Sequence, residues 1–433
     1  MNIKLTNNTY YSLFTYSFMW SLFWLSINTM PFEIYMFGDN IVKSINSLRL
    51  VLALILSALM IVLFFYKIIL NKNNSFYREF NFKYYFFILF SSYLFFLILS
   101  DERELSLENI YLIILSIGTI FFSFVIKNTP EVNLRSLIIV NILMLIFICM
   151  LITIPKYNEI ILHNFDFYRV FIYLDGNLFS QVNPRITGLS RSVSILNIFL
   201  LIVILNTKNK FLNFILMVIF LFSFFIIWGM QSRGSILCFY IAVLFILIFA
   251  NKSKIFSKII LLIFLVFSNF TIDFIYKYKI NKVEEIKNYS RILKNNSSGR
   301  FDIWKYSLEN YKYKNLFGYG SQGDRYFLKK YVHKDKFGDN SSNAVLYSLL
   351  SGGYLALLFI VAIYIHLIKK IKNFIFTKYK NNIFYTFSIA IILFFLVRSL
   401  FENSFALFSI DYLLVFSSLL YVDRIESKKN SQA

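Results

Sequence analysis

Two cysteines and three histidines are the only sulfhydryl and imidazole groups in this 433-residue chain. Cys149 and Cys238 both fall inside apolar runs, where a thiol behaves as a small buried hydrophobe. Neither a disulfide framework nor a thiolate metal site is expected. His163, His333 and His366 are widely scattered, and no Cys/His pair has ligand spacing, so no metal is expected. A G-x-x-x-x-G-K-[ST] phosphate loop is missing, as is a glycine fingerprint set in a strand–turn–helix unit. ATP-driven transport and dinucleotide chemistry are thereby left without support, and no cofactor is expected.

Charge is also scarce. Only 15% of the residues are charged, against 58% hydrophobic and 20% aromatic, the balance of an integral membrane protein. The abundant Phe, Tyr, Ile, Asn and Lys fit nucleotide bias and carry no functional reading. A bilayer core of roughly 30 Å needs roughly 20 apolar residues per helix, and about twelve stretches qualify. They lie near 10–30, 50–70, 84–100, 109–126, 136–154, 192–206, 211–228, 235–250, 256–274, 344–366, 383–397 and 404–422. The expected fold is all-α: one polytopic membrane domain over residues 1–433, with long polar loops at 155–191 and 275–343. The first run is too long for a signal-peptide core and has no small-residue cleavage site, so it is expected to stay as an anchor.

The net charge of +21 would suit nucleic acid, but its distribution argues against such a partner. With the N-terminus placed inside, the loops and tails on that side hold 20 Lys and Arg, from Lys4 to Lys429, while the short loops opposite hold five: Lys43, Arg49, Arg103, Arg233 and Arg398. This is the positive-inside asymmetry, which counts short loops and lets long ones cross regardless of charge. Both termini are expected inside and both long loops outside, with most lysines reporting topology and lipid contact.

The polar constellations cluster in or beside those outer loops. PRITGLSRS (Pro184 to Ser192) puts Arg185 and Arg191 at the start of a span, and QSRGS (Gln231 to Ser235) puts Arg233 at the same depth. The large loop adds Arg291 and SGRFDIW, in which Gly299 precedes Arg300 and Trp304 follows it by one helical turn. NLFGYGSQG then brings Gly318 and Gly320, whose backbone freedom allows a tight turn or a close approach. SNAVLYSLLSGGYLA re-enters the membrane with Asn343 and Gly353, glycine there permitting close helix packing. An isolated arginine at such a depth is usually a snorkelling or capping residue. Several fixed guanidinium groups at one interface suit a phosphate or diphosphate. Asp411 sits inside the last apolar run, where a carboxylate is costly; it should face the bundle interior and pair with Arg398 or Arg233.

In this order, the segments resemble the O-antigen polymerase and O-antigen ligase superfamily of envelope polysaccharide enzymes. PRITGLSRS is similar to its R-x-x-G-(L/F) segment, QSRGS to its S-R-G junction, SGRFDIW and NLFGYG to its G-R-x-x-x-W helix and G-x-G turn. Asn343, Leu346 and Gly353 match part of its H-N-x-x-L-(x6)-G-x-x-G element. The similarity runs from Pro184 to Ala356; elsewhere only hydropathy matches.

The resemblance implies a glycosyltransferase C-type-like membrane enzyme at the outer face of a bacterial inner membrane. It would work without metal or cofactor on a glycan linked through diphosphate to undecaprenol, which serves as donor, with a second lipid-linked glycan as acceptor. The bilayer and a chain-length regulator protein would be its other partners. Arg185, Arg233 and Arg300, helped by Arg291 and Arg191, would hold the leaving diphosphate in place of a divalent cation. Ligase-like members carry histidine where this chain has Ser342, and serine alone is no base. That departure favours polymerase over ligase and leaves His333 and Asp339, with nearby Asp335, as candidate bases. A lipid-linked oligosaccharide flippase is the rival from another class, although it needs no large outer loop.

Overall fold

The computed structural model describes residues 7–28, 54–66, 117–123, 125–126, 129–153, 186–230, 232–249, 300–311, 341–377, 379–405 and 410–430, with 316, 318, 319, 323, 324, 327 and 328 of the large loop. The expected spans at 84–100 and 256–274 lie outside these residues, as does most of each long loop. What is described is helical, with no strand among the described residues. The helices are α1 (Asn7–Asn28), α2 (Leu54–Tyr66), α3 (Pro130–Thr153), α4 (Ile186–Asn206), α5 (Lys210–Gly229), α6 (Arg233–Phe249), α7 (Arg300–Asn310), α8 (Ala344–Phe376), α9 (Ile383–Arg398) and α10 (Ile410–Asn430).

Two of them, α5 and α8, are long and apolar enough to cross a bilayer. Helix α5 exposes Phe211, Phe214, Val218, Phe222 and Phe225 along its length. An apolar face that large would be a liability in water and is the ordinary surface of a helix in lipid. Helix α9 is the opposite case: Tyr385 to Ile392 are buried without a break. Apolar all round, it belongs in the middle of a bundle, and α4, α6, α8 and α10 pack around it. Helix α1 lies on α3, fixed by the Trp20 indole donating to Asn133 Oδ1 at 2.9 Å. Asn141 of α3 accepts from Ser192 of α4, and Asn197 of α4 accepts from Ser223 of α5, so short polar side chains tie helices that hydrophobicity alone would leave free to slide.

Three boundaries differ from the sequence expectation. Helix α4 begins at Ile186, so the loop expected at 155–191 ends earlier and Arg191 lies within a helix; its charge is tolerated there because Asp411 faces it. Helix α8 runs to Phe376, not 366, since Lys370 beyond the apolar run is held by Asp423 and Glu426 of α10 at 2.6 Å each. The last span, expected at 404–422, starts at Ile410. Residues 399–405 instead form a polar turn after α9, which puts Asp411 in the first turn of α10 rather than deep in a span. A carboxylate there also meets the positive end of the helix dipole.

Candidate functional site

The 399–405 turn, SLFENSF, is where the site is assembled. Its backbone is tight: Phe401 N and Glu402 N both donate to Arg398 O at 2.9 Å. Arg398, the last residue of α9, donates through Nε to Asp411 Oδ2 at 3.2 Å and through Nη1 to Ser235 Oγ of α6 at 3.0 Å. Arg191 of α4 bonds the other oxygen of Asp411. Arg191, Arg398 and Asp411 are all buried, so four helices meet on one carboxylate. Of the partners expected for Asp411, Arg398 is present. Arg191 is the second, where the sequence reading had assigned it to a ligand.

Arg300 opens α7 and donates to Glu402 Oε1 at 3.0 Å, with the two side chains 29% and 30% exposed. Trp304, one turn on, donates its indole N–H to Ser341 O at 2.8 Å. The α7 helix is thus pinned at both ends of its first turn to the ground around the 399–405 turn. Asn343 caps α8, its Oδ1 accepting from Val345 N at 2.9 Å and Leu346 N at 3.0 Å, which satisfies two of the free N–H groups of a helix start. Its Nδ2 reaches Leu400 O at 3.0 Å. Its own N–H goes to Asn403 Oδ1 at 3.1 Å. Between these anchors Ser342 adopts φ 45°, a left-handed conformation that serine holds only where its neighbours over-determine it.

One of those neighbours is Asp324, a buried carboxylate whose Oδ2 accepts from Ser341 N at 2.9 Å and Ser341 Oγ at 3.0 Å. Sequence reading passed over it, and over Glu402 and Asn403. The available signal was an acid two residues from the GYG turn, and a Glu-Asn pair interrupting two apolar runs.

Gly318 and Gly353 lock the loop to α8. Both have left-handed φ, 65° and 66°, and a Cβ on Gly318 would sit 2.5 Å from Gly353 N. Gly353 kinks α8, and the loop takes up the backbone groups the kink releases: Tyr319 N donates to Leu350 O at 2.7 Å and Leu355 N to Leu316 O at 3.3 Å. Broken helix at membrane depth requires such substitutes. The run Gly318, Gly320, Gly323 does spell G-x-G-x-x-G, but its described part packs on a helix kink and not on a strand. Tyr311, Tyr319 and Phe327 fill the space beneath, and burial pushes the Tyr311 phenol up.

Arg185, Arg291, His333, Asp339, Asp335, Gly299 and Gly320 lie outside the described residues. Arg233 begins α6, two residues before the Ser235 that Arg398 holds, and its side chain also lies outside them. No group of acids, histidines and cysteines fit to hold a metal occurs among the described residues. Both cysteines are free thiols, Cys238 buried.

The structure defines a class: an all-helical, membrane-embedded protein with a polar corner built from guanidinium groups, carboxylates and amides where four helices end. Residues 217–360 match the family model described as O-antigen ligase. The match takes in Arg233, Arg300, Trp304, Gly318, Asn343 and Gly353, and stops short of Arg398, Glu402 and Asp411. It supports the O-antigen ligase and polymerase superfamily, a glycosyl-transferring enzyme, and a role in assembling O-antigen or another surface polysaccharide. No curated protein matches the chain.

Proposed function

We propose that this chain is a polymerase that joins undecaprenyl-diphosphate-linked oligosaccharide repeat units into O-antigen or a related surface polysaccharide, using neither metal nor nucleotide sugar. It works at the outer face of a bacterial inner membrane, with both termini inside. The observation that carries the reading is the charge count of the corner. Three guanidinium groups, Arg191, Arg300 and Arg398, face two carboxylates, Glu402 and Asp411, an excess of one positive charge before Arg233 is added. In a low-dielectric setting a preorganised cation is worth far more than in water, and the charge that grows on a departing diphosphate is what it would stabilise.

The roles within the corner differ. Arg191 and Arg398 are closed on Asp411 and supply field; Arg300, a third exposed, is the arginine able to touch the diphosphate. Ser342, in place of the ligase histidine, favours polymerase. The family description, O-antigen ligase, favours the second reading, transfer of finished glycan to lipid A-core.

Deleting the gene and examining the products separates these. A polymerase defect leaves core capped with a single repeat unit. Bare core with polymer accumulated on its lipid carrier would identify a ligase, and single units trapped inside would identify a flippase; either outcome overturns the proposal.

A further inference from the structure

Three carboxylates stand at the corner, and only one is free to do chemistry. Asp411 is gripped by two buried guanidinium groups. Asp324, buried, is committed to holding Ser341. Glu402 is about a third exposed, and among the described residues its ion-pair partner is Arg300, itself equally exposed. Its backbone is fixed regardless of that partner, through Arg398 O behind it and through Asn403, which grips Asn343. Glu402 also lies within electrostatic reach of buried Arg191 and Arg398. It is therefore a carboxylate on a rigid turn with an exchangeable counter-ion at the mouth of a positively charged corner.

We propose that Glu402 is the general base of the transfer, held by Arg300 until the donor's diphosphate takes Arg300 from it. The inference rests on the polymerase reading above. A partly exposed ion pair is worth little, while a diphosphate offers guanidinium several charged oxygens in bidentate geometry, so donor binding wins the exchange. Glu402 is then bare, beside the Asn343–Asn403 corner whose amides can hold sugar hydroxyls. The acceptor hydroxyl gives its proton to Glu402 Oε as its oxygen bonds to the anomeric carbon. The bond from that carbon to the diphosphate oxygen breaks, and its electron pair leaves with the diphosphate. When the diphosphate departs, the proton passes to water and Arg300 recaptures the carboxylate. Coupling of this kind exposes the base only when a donor is present.

The test uses the full chain in lipid nanodiscs, with two readouts: pyrophosphate binding by titration calorimetry, and polymer synthesis from lipid-linked repeat units. Glu402→Gln is expected to bind pyrophosphate several-fold more tightly, because a competitor is gone. Its kcat should fall by about 10² to 10⁴, the usual contribution of a general base, without a rise in donor KM. Glu402→Asp, which keeps charge and ion pair, should recover part of kcat and covers the case in which the amide variant fails to fold. Wild-type kcat in Glu402→Gln, or joint loss of kcat and pyrophosphate binding in both variants, would overturn the proposal, the latter making Glu402 a structural anchor. If the wild-type protein binds no pyrophosphate and Arg300→Ala leaves synthesis unchanged, the diphosphate reading itself fails, whatever Glu402 does.

Discussion

Helix α10 carries an ion cluster at each end, and the two are built to opposite plans. At its start, one carboxylate, Asp411, serves two arginines of α4 and α9. At its far end, one lysine of α8, Lys370, is shared by Asp423 and Glu426 of α10. Both clusters tie helices together, so ion pairing as such marks neither as functional. Sign and closure distinguish them. The far cluster has spare negative charge and a lysine, a strongly hydrated point charge that tolerates solvent. The near one has spare positive charge, arginines in planar fork geometry, and a neighbouring pair, Arg300 and Glu402, left open. A fixed charge excess walled off from water, next to an exchangeable pair, is what an anion site needs and what a structural clamp does not.

Breaking the buried half of the near cluster should have the largest effect. Asp411→Asn leaves two buried guanidinium groups sharing an amide, and removing one partner of a buried pair costs about 3–5 kcal/mol. Thermal unfolding in detergent should drop sharply, and polymer should vanish with the folded protein. A variant with unchanged melting behaviour would mean that the triad is not the support described here. Next in size is the glycine lock. Gly318→Ala must place a side chain against the α8 backbone in a left-handed conformation, a strain of about 1–3 kcal/mol before the steric clash is counted. It should lower the melting temperature without altering pyrophosphate affinity per folded molecule, measured by titration on the soluble fraction.

How far these features could be read in advance differs between backbone and charge. Apolar runs locate α1, α3, α5, α6, α8 and α9 to within a few residues, because a bilayer imposes one length on every span. The ends were misjudged where a charge is neutralised by a residue far along the chain: Arg191 by Asp411, Lys370 by Asp423 and Glu426. Hydropathy treats each charge as isolated, and pairing cancels the cost it assumes. Arg300 and Trp304 on one helix face, Asn343 at a helix start and glycines at a close approach were all visible as local chemistry. Glu402, Asn403 and Asp324 were not, since their meaning lies in partners, 102, 60 and 17 residues away in sequence. Arg191 was legible as an arginine of the site, but not its distinction from Arg300, which depends on one being buried and the other open.

That distinction predicts opposite behaviour for stability and activity. Arg300→Ala removes an ion pair about 30% exposed on both sides, worth about 1 kcal/mol or less. Folding should be almost untouched while polymer chain length collapses, read by gel electrophoresis of the polysaccharide from cells carrying the variant. Wild-type chain lengths would remove Arg300 from the diphosphate role and return the pair to the status of the far cluster.

The far cluster supplies the smallest effect and the control. Lys370→Gln should cost about 1 kcal/mol or less and leave both chain length and pyrophosphate affinity unchanged. Its pH signature follows from the sign of the shift. Burial alone would lower the Lys370 ammonium, but Asp423 and Glu426 together raise it above its usual value. The stabilisation is therefore complete below the ordinary lysine range near about 10.4 and fades only as pH climbs through the raised value. Between neutral pH and 9 the melting difference between Lys370→Gln and the wild type should stay constant, then shrink in stronger alkali. A difference that shrank already near neutrality would mean that the lysine is not held by both carboxylates, and the contrast between the two ends of α10 would rest on the near cluster alone.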